Sequence, residues 1–165
     1  MPTAPGPPRG SAARRLPRRM PVNTEAIGKE WVPDPFEVEA ERIVKYADAV
    51  GEESPVFRDP DAARAAGFRD QVAPPMFAVV YSAPAMGPAV LDPEVGINFP
   101  TMVHGGQEFV WGEPVCAGDR ITTKVTCTDI SERDGKGFYV FESVSENQDG
   151  AETVRGTWTN IVRGV

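Results

Sequence analysis

The most constraining feature of this sequence is a run of fourteen residues without a charged side chain, Ala73–Met86, in a chain that is 25% charged. A run of this kind is typical of a protein core. Pro75 suits the first turn of a helix, where a missing N–H costs nothing, so we predict a buried helix that begins near Pro75. Pro84 should kink or end that helix, because its ring removes a backbone hydrogen bond.

The C-terminal half has the period of β-strands. Ile121, Val125 and Cys127 alternate with threonines and a lysine, which is typical of an antiparallel strand with one buried face. Asp149-Gly150 and the segment 134–137 are hairpin signals between such runs. We predict a meander of three or four strands from the segments His104–Trp111, Arg120–Ile130, Phe138–Glu146 and Glu152–Arg163.

Shorter elements precede the charge-free run. The apolar residues of Glu37–Val50 recur at helical spacing, and Gly51 follows as a stop signal. Asp59-Pro60 should cap and open a second, short helix that runs to Ala66. Lys29–Phe36 contains two prolines and favours a short edge strand. Helices followed by long antiparallel strands predict an α+β fold, a single domain whose sheet covers the buried helix.

Charge and composition exclude several classes of function. A net charge of −7 argues against nucleic acid and against an anionic membrane as the main partner, and favours a small molecule or a protein. Two cysteines, Cys116 and Cys127, and one histidine cannot build a Cys/His zinc site unaided. We therefore expect no metal and two reduced, packed thiols in a cytoplasmic protein. Prolines interrupt the uncharged stretch, so we expect no membrane span.

The first 22 residues differ in kind from the rest. They contain five arginines and no acid, so they carry +5, and the total of −7 leaves −12 on the remaining residues. Such a segment cannot bury a core, and we expect a disordered arm followed by one folded domain, residues 23–165. It lacks the apolar stretch of a secretory signal. Three interpretations are open: a transit peptide, a contact with a polyanion, and an arm without function before a true start at Met20.

The order of elements resembles the hot-dog fold, and two motifs resemble the MaoC-like dehydratase family. The segment Phe109–Arg120, FVWGEPVCAGDR, is similar to the family's strand, "rPv.aGD" turn and following strand. Tyr46–Gly51 followed by Ala73–Phe77 is similar to the family's hydratase region and the start of its central helix. The resemblance covers roughly Ala26 to Arg163. It is greatest to the HadA-type subunit of (3R)-hydroxyacyl-ACP dehydratases and to the N-terminal half of fused relatives.

The resemblance implies chemistry on a 3-hydroxyacyl thioester, for which the family uses an Asp and a His in a segment resembling G-D-x-N-P-L-H. Here the matching segment is GEESPVF, residues 51–57, so Glu52 stands at the Asp place and Phe57 at the His place. Phe57 cannot carry a proton. The resemblance therefore implies a copy of the scaffold without a working dyad, in which Glu52 and His104, the one histidine, are the weak catalytic candidates.

The central helix and the approach to the first long strand supply candidate substrate contacts. Backbone N–H groups at the start of the helix are free donors that suit a thioester carbonyl, and simple packing of this segment is the equal alternative. Apolar side chains near them suit an acyl chain. The candidate substrate-binding residues are Pro75, Met76, Phe77, Val80, Tyr81, Phe99, Met102, His104 and Gly105.

The family works as pairs of hot-dog domains, and we expect no cofactor. The main hypothesis is a non-catalytic, acyl-chain-binding subunit that pairs with a catalytic MaoC-type dehydratase subunit acting on an acyl-CoA or acyl-ACP thioester in fatty-acid metabolism. A self-sufficient hydratase or thioesterase that uses Glu52 and His104 is the alternative among enzymes. A homodimeric module that binds acyl-CoA is the alternative outside enzymes.

Deletion of Met1–Arg19 should leave the melting temperature unchanged, because this segment has no apolar run that can dock on the domain. Scanning calorimetry of the full-length and shortened chains checks the prediction. A fall of several degrees on deletion would mean that the segment packs on the domain.

Overall fold

The computed structural model describes residues 21–165. Residues 1–20, which make up most of the predicted arm, lie outside the described residues. Val22, at the end of that arm, is half-buried against the core. No helix within residues 21–165 is long and apolar enough to cross a membrane.

Short helices and turns come first in the described chain, and long strands follow. The helices are α1 (Ala40–Val50), α2 (Pro60–Ala65), α3 (Ala78–Ala85) and α4 (Gly87–Val90). The strands are β1 (Glu30–Trp31), β2 (Phe36–Glu37), β3 (Met102–Trp111), β4 (Arg120–Arg133), β5 (Lys136–Glu146) and β6 (Glu152–Arg163). Turns of 3-10 helix cover Thr24–Ala26, Pro55–Phe57, Pro75–Phe77 and Phe99–Thr101. The predicted α+β fold is confirmed.

The sheet is antiparallel, in the order β1, β4, β5, β6, β3, and β2 pairs with β4 as well. β4, β5 and β6 form a three-strand meander, one of the two predicted forms. β3 is not the first strand of a four-strand meander, because the chain after Trp111 continues along the start of β6 before it crosses to β4. The N–H of Gly112 donates to the carbonyl oxygen of Thr153 at 3.0 Å. β3 therefore lies at one edge of the sheet.

The local signals before the sheet have the predicted effects. Gly51 ends α1 in the left-handed conformation, with φ 74°, and its N–H donates to the last carbonyls of the helix. The side chain of Asp59 accepts a hydrogen bond from the N–H of Asp61 and caps α2. α1 begins at Ala40, three residues after the predicted start, because residues 36–37 pair with β4 as β2.

The central helix begins where Pro75 predicts, as a 3-10 turn that continues directly into α3. Pro84 lies in the last turn of α3, which ends one residue later. The helix is buried on one side only: Tyr81 and Ser82 are buried, whereas Ala83 and Pro84 are exposed. The sheet thus covers one face of the helix and leaves the other open.

The side of α3 that faces the protein packs into an apolar cluster with α1 and the start of β4. Its members include Val38, Ile43, Phe77, Tyr81, Ile121 and Val154. The rings of Tyr46 and Phe77 meet edge-on with centroids 5.5 Å apart, an arrangement worth about 0.5–1.5 kcal/mol beyond the area that it buries. This cluster fixes the helix against α1.

A buried carboxylate ties three segments together beside this cluster. Asp119, which is 1% exposed, accepts hydrogen bonds from the N–H of Cys116 at 2.8 Å and from Nε2 of Gln148 at 3.2 Å. Its third contact is an ion pair with Arg69, and the hydrogen bond that the guanidinium donates to Asp119 raises the pKa of Arg69. The turn before β4, the hairpin before β6 and the chain after α2 are therefore joined at one residue.

Gly112 is a position that only glycine fits, since a Cβ there would lie 2.1 Å from the carbonyl oxygen of Glu152. We expect Gly112→Ala to destabilise the fold by about 2–3 kcal/mol, because the two backbones must move apart. Gly106→Ala is the matched control, since a Cβ at Gly106 meets no atom within 4 Å among the described residues. Urea denaturation of both variants tests this, and equal stabilities would contradict it.

Candidate functional site

A cavity of about 610 Å³ opens between the loop after α1, the start of α3 and the turn after β3. Its size is that of a small-molecule site. Its lining is apolar except for Glu113, Thr153 and the hydroxyl of Tyr81. The lining residues are Val56, Phe57, Phe68, Val72, Ala73, Pro74, Pro75, Phe77, Tyr81, Trp111, Gly112, Glu113, Pro114, Val115 and Thr153.

Backbone pairing holds the chain at the entrance to α3 beside this cavity. The N–H of Ala73 donates to the carbonyl of Val115, and the N–H of Ala117 donates to the carbonyl of Gln71, both at 2.8 Å. The indole N–H of Trp111 donates to the carbonyl of Pro75 at 3.1 Å. The first turn of the helix is therefore fixed to the edge strand β3.

The loop that carries Phe57 is fixed to the same segment. Gln71 is buried, and its Nε2 donates to the carbonyls of Phe57 at 2.8 Å and Ala40 at 3.3 Å. The N–H of Val72 donates to the carbonyl of Val56 at 3.2 Å. These bonds hold the loop between α1 and α2 against the cavity, with Phe57 half-buried in its wall.

Tyr81 contributes a buried, neutral hydroxyl to the lining of the cavity. That hydroxyl lies 3.5 Å from Oγ1 of Thr153. Because the Thr153 hydroxyl itself donates to the carbonyl of Ser145 at 3.1 Å, Tyr81 is the donor of the pair. Burial raises the pKa of Tyr81 to about 12, so this phenol does not act as a base near neutral pH.

The two weak catalytic candidates lie away from the cavity lining. Glu52 is exposed; its N–H donates to the carbonyl of Ala47, and its own carbonyl accepts from Arg58. His104 lies on β3, beside a bulge, with its ring edge-on to Trp158 at a centroid distance of 6.0 Å. The structure does not bring Glu52 and His104 into one site.

Three of the nine predicted substrate-binding residues line the cavity: Pro75, Phe77 and Tyr81. The other six lie elsewhere. Met76 and Phe99 are exposed at the surface, Val80 and Met102 pack beside the apolar clusters, and His104 and Gly105 lie at the bulge of β3. Placement on the helix or before β3 does not bring a side chain to the cavity, because only one side of each element faces it.

Most of the lining was missed by sequence reasoning. Trp111, Gly112 and Pro114 belong to the segment Phe109–Arg120 that resembles the family, where Trp111 is predicted to end a strand and the next residues to form a turn, and the sequence pattern assigns none of them to a site. Phe68 and Val56 come from loops without a periodic pattern. Within residues 21–165, His, Cys, Asp and Glu side chains form no group of three or more that is placed to hold a metal ion.

Residues 25–155 match the family described as "FAS1-like, dehydratase domain region". The chain belongs to this family. It is 40% identical over 146 residues to a UPF0336 protein from Saccharopolyspora erythraea. The aligned region covers 88% of this chain and 94% of that relative.

Two solved structures place the fold among the MaoC-like hot-dog dehydratases. The crystal structure of the C-terminally truncated HadBC (3R-hydroxyacyl-ACP dehydratase) complex from Mycobacterium tuberculosis superposes with a TM-score of 0.75 and 27% identity, covering 85% of this chain and 99% of that chain. A MaoC-like dehydratase superposes with a TM-score of 0.76 and 22% identity over 85% of this chain and 43% of that one. The resemblance to the MaoC-like dehydratase family is thereby confirmed.

The two thiols of this dehydratase-family chain should be unreactive in the folded state. Cys116 is 1% and Cys127 0% exposed, and burial raises the pKa of Cys116 above its usual value and that of Cys127 to about 11. Both groups are thus protonated at neutral pH, whereas the thiolate is the reactive form. Ellman's reagent should titrate both only after addition of guanidinium chloride. Rapid modification of either thiol in the native protein would contradict the prediction.

Proposed function

We propose that this chain is the non-catalytic, acyl-chain-binding subunit of a cytoplasmic, heteromeric (R)-specific 3-hydroxyacyl-thioester dehydratase. The observation that carries the proposal is Phe57, which stands at the place of the family's histidine and lines an apolar cavity. Gly51 and Pro55 of the family's loop segment are kept, while the group that would move a proton is replaced by a ring that cannot.

Dehydration requires a base for the C2 proton, an acid for the leaving hydroxyl and donors for the enolate-like oxygen. Among the lining residues of the cavity there is no histidine, and Tyr81 is neutral and hydrogen-bonded. At the helix start, Pro75 has no N–H and the N–H of Phe77 donates to Pro74. Of these three amides, only that of Met76 has no acceptor among residues 21–165. Such a cavity suits an apolar chain better than a reacting thioester.

The catalytic groups must then come from a partner, and β3 offers the surface for one. β3 is an edge strand of ten residues whose outer side has no paired strand among residues 21–165. Val103, Val110 and Trp111 on this strand are 40%, 65% and 51% exposed. A long, apolar edge strand is an aggregation hazard unless another chain covers it. A second hot-dog domain along β3 would bury an obligate interface of roughly 2,000 Å² or more.

The similarity to a chain of the HadBC complex supports such a partner, since that structure is a complex of a 3-hydroxyacyl-ACP dehydratase. A catalytic MaoC-type subunit is the partner proposed here, with an acyl-CoA or acyl-ACP thioester as substrate. A homodimer that binds acyl-CoA would use the same cavity and the same edge, and it is the second candidate.

We expect a mixture of this chain with a MaoC-type subunit that carries the Asp/His pair to elute as a stable heteromer and to hydrate a 2-enoyl-CoA. This chain alone should show no hydration, because Phe57 stands at the place of the family's histidine. Size-exclusion chromatography with light scattering and an absorbance assay of hydration provide the two measurements. A homodimer that ignores such partners and binds acyl-CoA would overturn the heteromer and favour the second candidate.

Two variants control for residual chemistry in this chain. His104→Ala should leave the activity of the mixture unchanged, since His104 lies outside the cavity lining. Phe57→His combined with Glu52→Asp should give at most traces of activity to the chain alone, because catalytic groups need a supporting shell that holds their geometry. Robust turnover by the wild-type chain alone that His104→Ala abolishes would contradict the proposal.

A further inference from the structure

A second cavity lies on the other side of Tyr81. Its volume is about 270 Å³, and it opens between the chain that joins β1 to β2, the end of α3 and the start of β4. Its wall combines apolar side chains with the polar residues Asp34 and Thr123. Besides Tyr81, the apolar members are Pro33, Pro35, Phe36, Pro84, Ala85 and Ile121. Among the residues that the structure describes, Tyr81 is the one that lines both this cavity and the larger one.

The Tyr81 side chain is held firmly between the two spaces. It is 4% exposed, and its ring lies 6.3 Å from the ring of Phe36, which lines the second cavity, and 6.3 Å from the ring of Phe77, which lines the first. The rings of Phe36 and Phe77 are 6.4 Å apart, so the three rings form one cluster where the two cavities approach each other. Its hydroxyl donates to Thr153, another member of the first wall. The contacts with these two rings and the hydrogen bond of the hydroxyl oppose rotation of the Tyr81 side chain.

A wall of this kind limits the length of a linear apolar ligand. Each methylene group that leaves water for the first cavity strengthens binding by about fourfold. A methylene group that meets the Tyr81 ring gains nothing and must bend back or stay in water. Phe36, Ala85 and Ile121 give the second cavity an apolar surface, which suits the terminal methyl group of an alkyl chain.

We propose that Tyr81 sets the chain-length limit of this subunit, and that the second cavity is a distal acyl subsite which the Tyr81 ring separates from the first. The inference rests on the proposed function, since it takes the first cavity to hold an acyl chain. The ligand class is a saturated or enoyl fatty-acyl thioester, whose terminal methyl group reaches Tyr81 at the limiting length.

The test is a binding series with the full-length chain and octanoyl-, dodecanoyl-, hexadecanoyl- and icosanoyl-CoA, measured by isothermal titration calorimetry. For the wild-type chain the affinity should rise with length and then stop rising. Tyr81→Ala should move that stop to a longer acyl chain, with a gain of about tenfold or more for the first CoA thioester beyond the wild-type limit. Tyr81→Phe keeps the ring and should keep the limit.

A double variant separates the subsite from a general loosening of the core. Ala85 lines the second cavity and not the first, so Tyr81→Ala combined with Ala85→Phe refills the distal space and should restore the wild-type limit. Circular dichroism melts verify that each variant is folded. Tyr81→Leu, which removes the ring with a smaller loss of volume, takes the place of Tyr81→Ala if the latter does not fold.

The outcomes distinguish this inference from the proposed function. If octanoyl-CoA binds and the limit stays in place in a folded Tyr81→Ala or Tyr81→Leu chain, the barrier is overturned and acyl binding stands. If the limit moves but the double variant does not restore it, the distal subsite is overturned. If the folded wild-type chain binds neither these CoA thioesters nor the corresponding acyl-ACP thioesters, the acyl-binding function itself is overturned.

Discussion

The fold around the cavity depends on one buried carboxylate. A carboxylate at 1% exposure is costly unless its oxygen atoms are hydrogen-bonded, and Asp119 meets that requirement with the N–H of Cys116, the amide of Gln148 and the guanidinium of Arg69. Those three partners come from three separate parts of the chain. By joining them, Asp119 fixes the turn before β4 next to the segment that leads into α3. The cavity is the space left between that turn, that segment and the loop after α1.

The chemistry of the cavity depends on the side chains that line it and on the residues that hold its walls in place. A hydrogen bond from Gln71 holds the Phe57 loop in place, and a hydrogen bond from Trp111 holds the start of the helix. Neither of these two side chains can act as a base. The family's chemistry uses an imidazole in that loop. In this chain the phenyl ring of Phe57 stands at that place and lies in the cavity wall. The apolar cavity and the phenyl ring at the histidine place favour the proposed subunit that holds a chain for a partner, and the exposed apolar edge of β3 favours the same division of labour.

The sequence predicted the elements whose signals are local. The Gly51 stop, the Asp59 cap and the bounds of β6 at Glu152 and Arg163 all follow from neighbouring residues or from a period of two. The place of β3 beside β6 could not be predicted in this way, because it depends on where residues 112–119 cross the sheet. The cavity is subject to the same limit. A motif singled out Phe57, but it did not show which side chains surround that residue.

The neighbours of Phe57 in the wall show what sequence reasoning lacks. Phe68 and Trp111 reach the cavity through tertiary pairing that no local pattern encodes. Tyr81 was predicted as a wall residue from its helix. Its position between two cavities depends on Phe36, a residue of the lead-in that the sequence placed only in an edge strand.

The central claim is that the acyl chain of the substrate lies in this chain while a partner supplies the chemistry. Its most direct test is photo-crosslinking in the reconstituted heteromer, with an enoyl thioester that carries a diazirine at its terminal carbon, followed by mass spectrometry of the labelled peptides. The account predicts label on the cavity wall of this chain, at or beside Phe77 and Tyr81. Label confined to the partner subunit, with the heteromer intact and active, would contradict it.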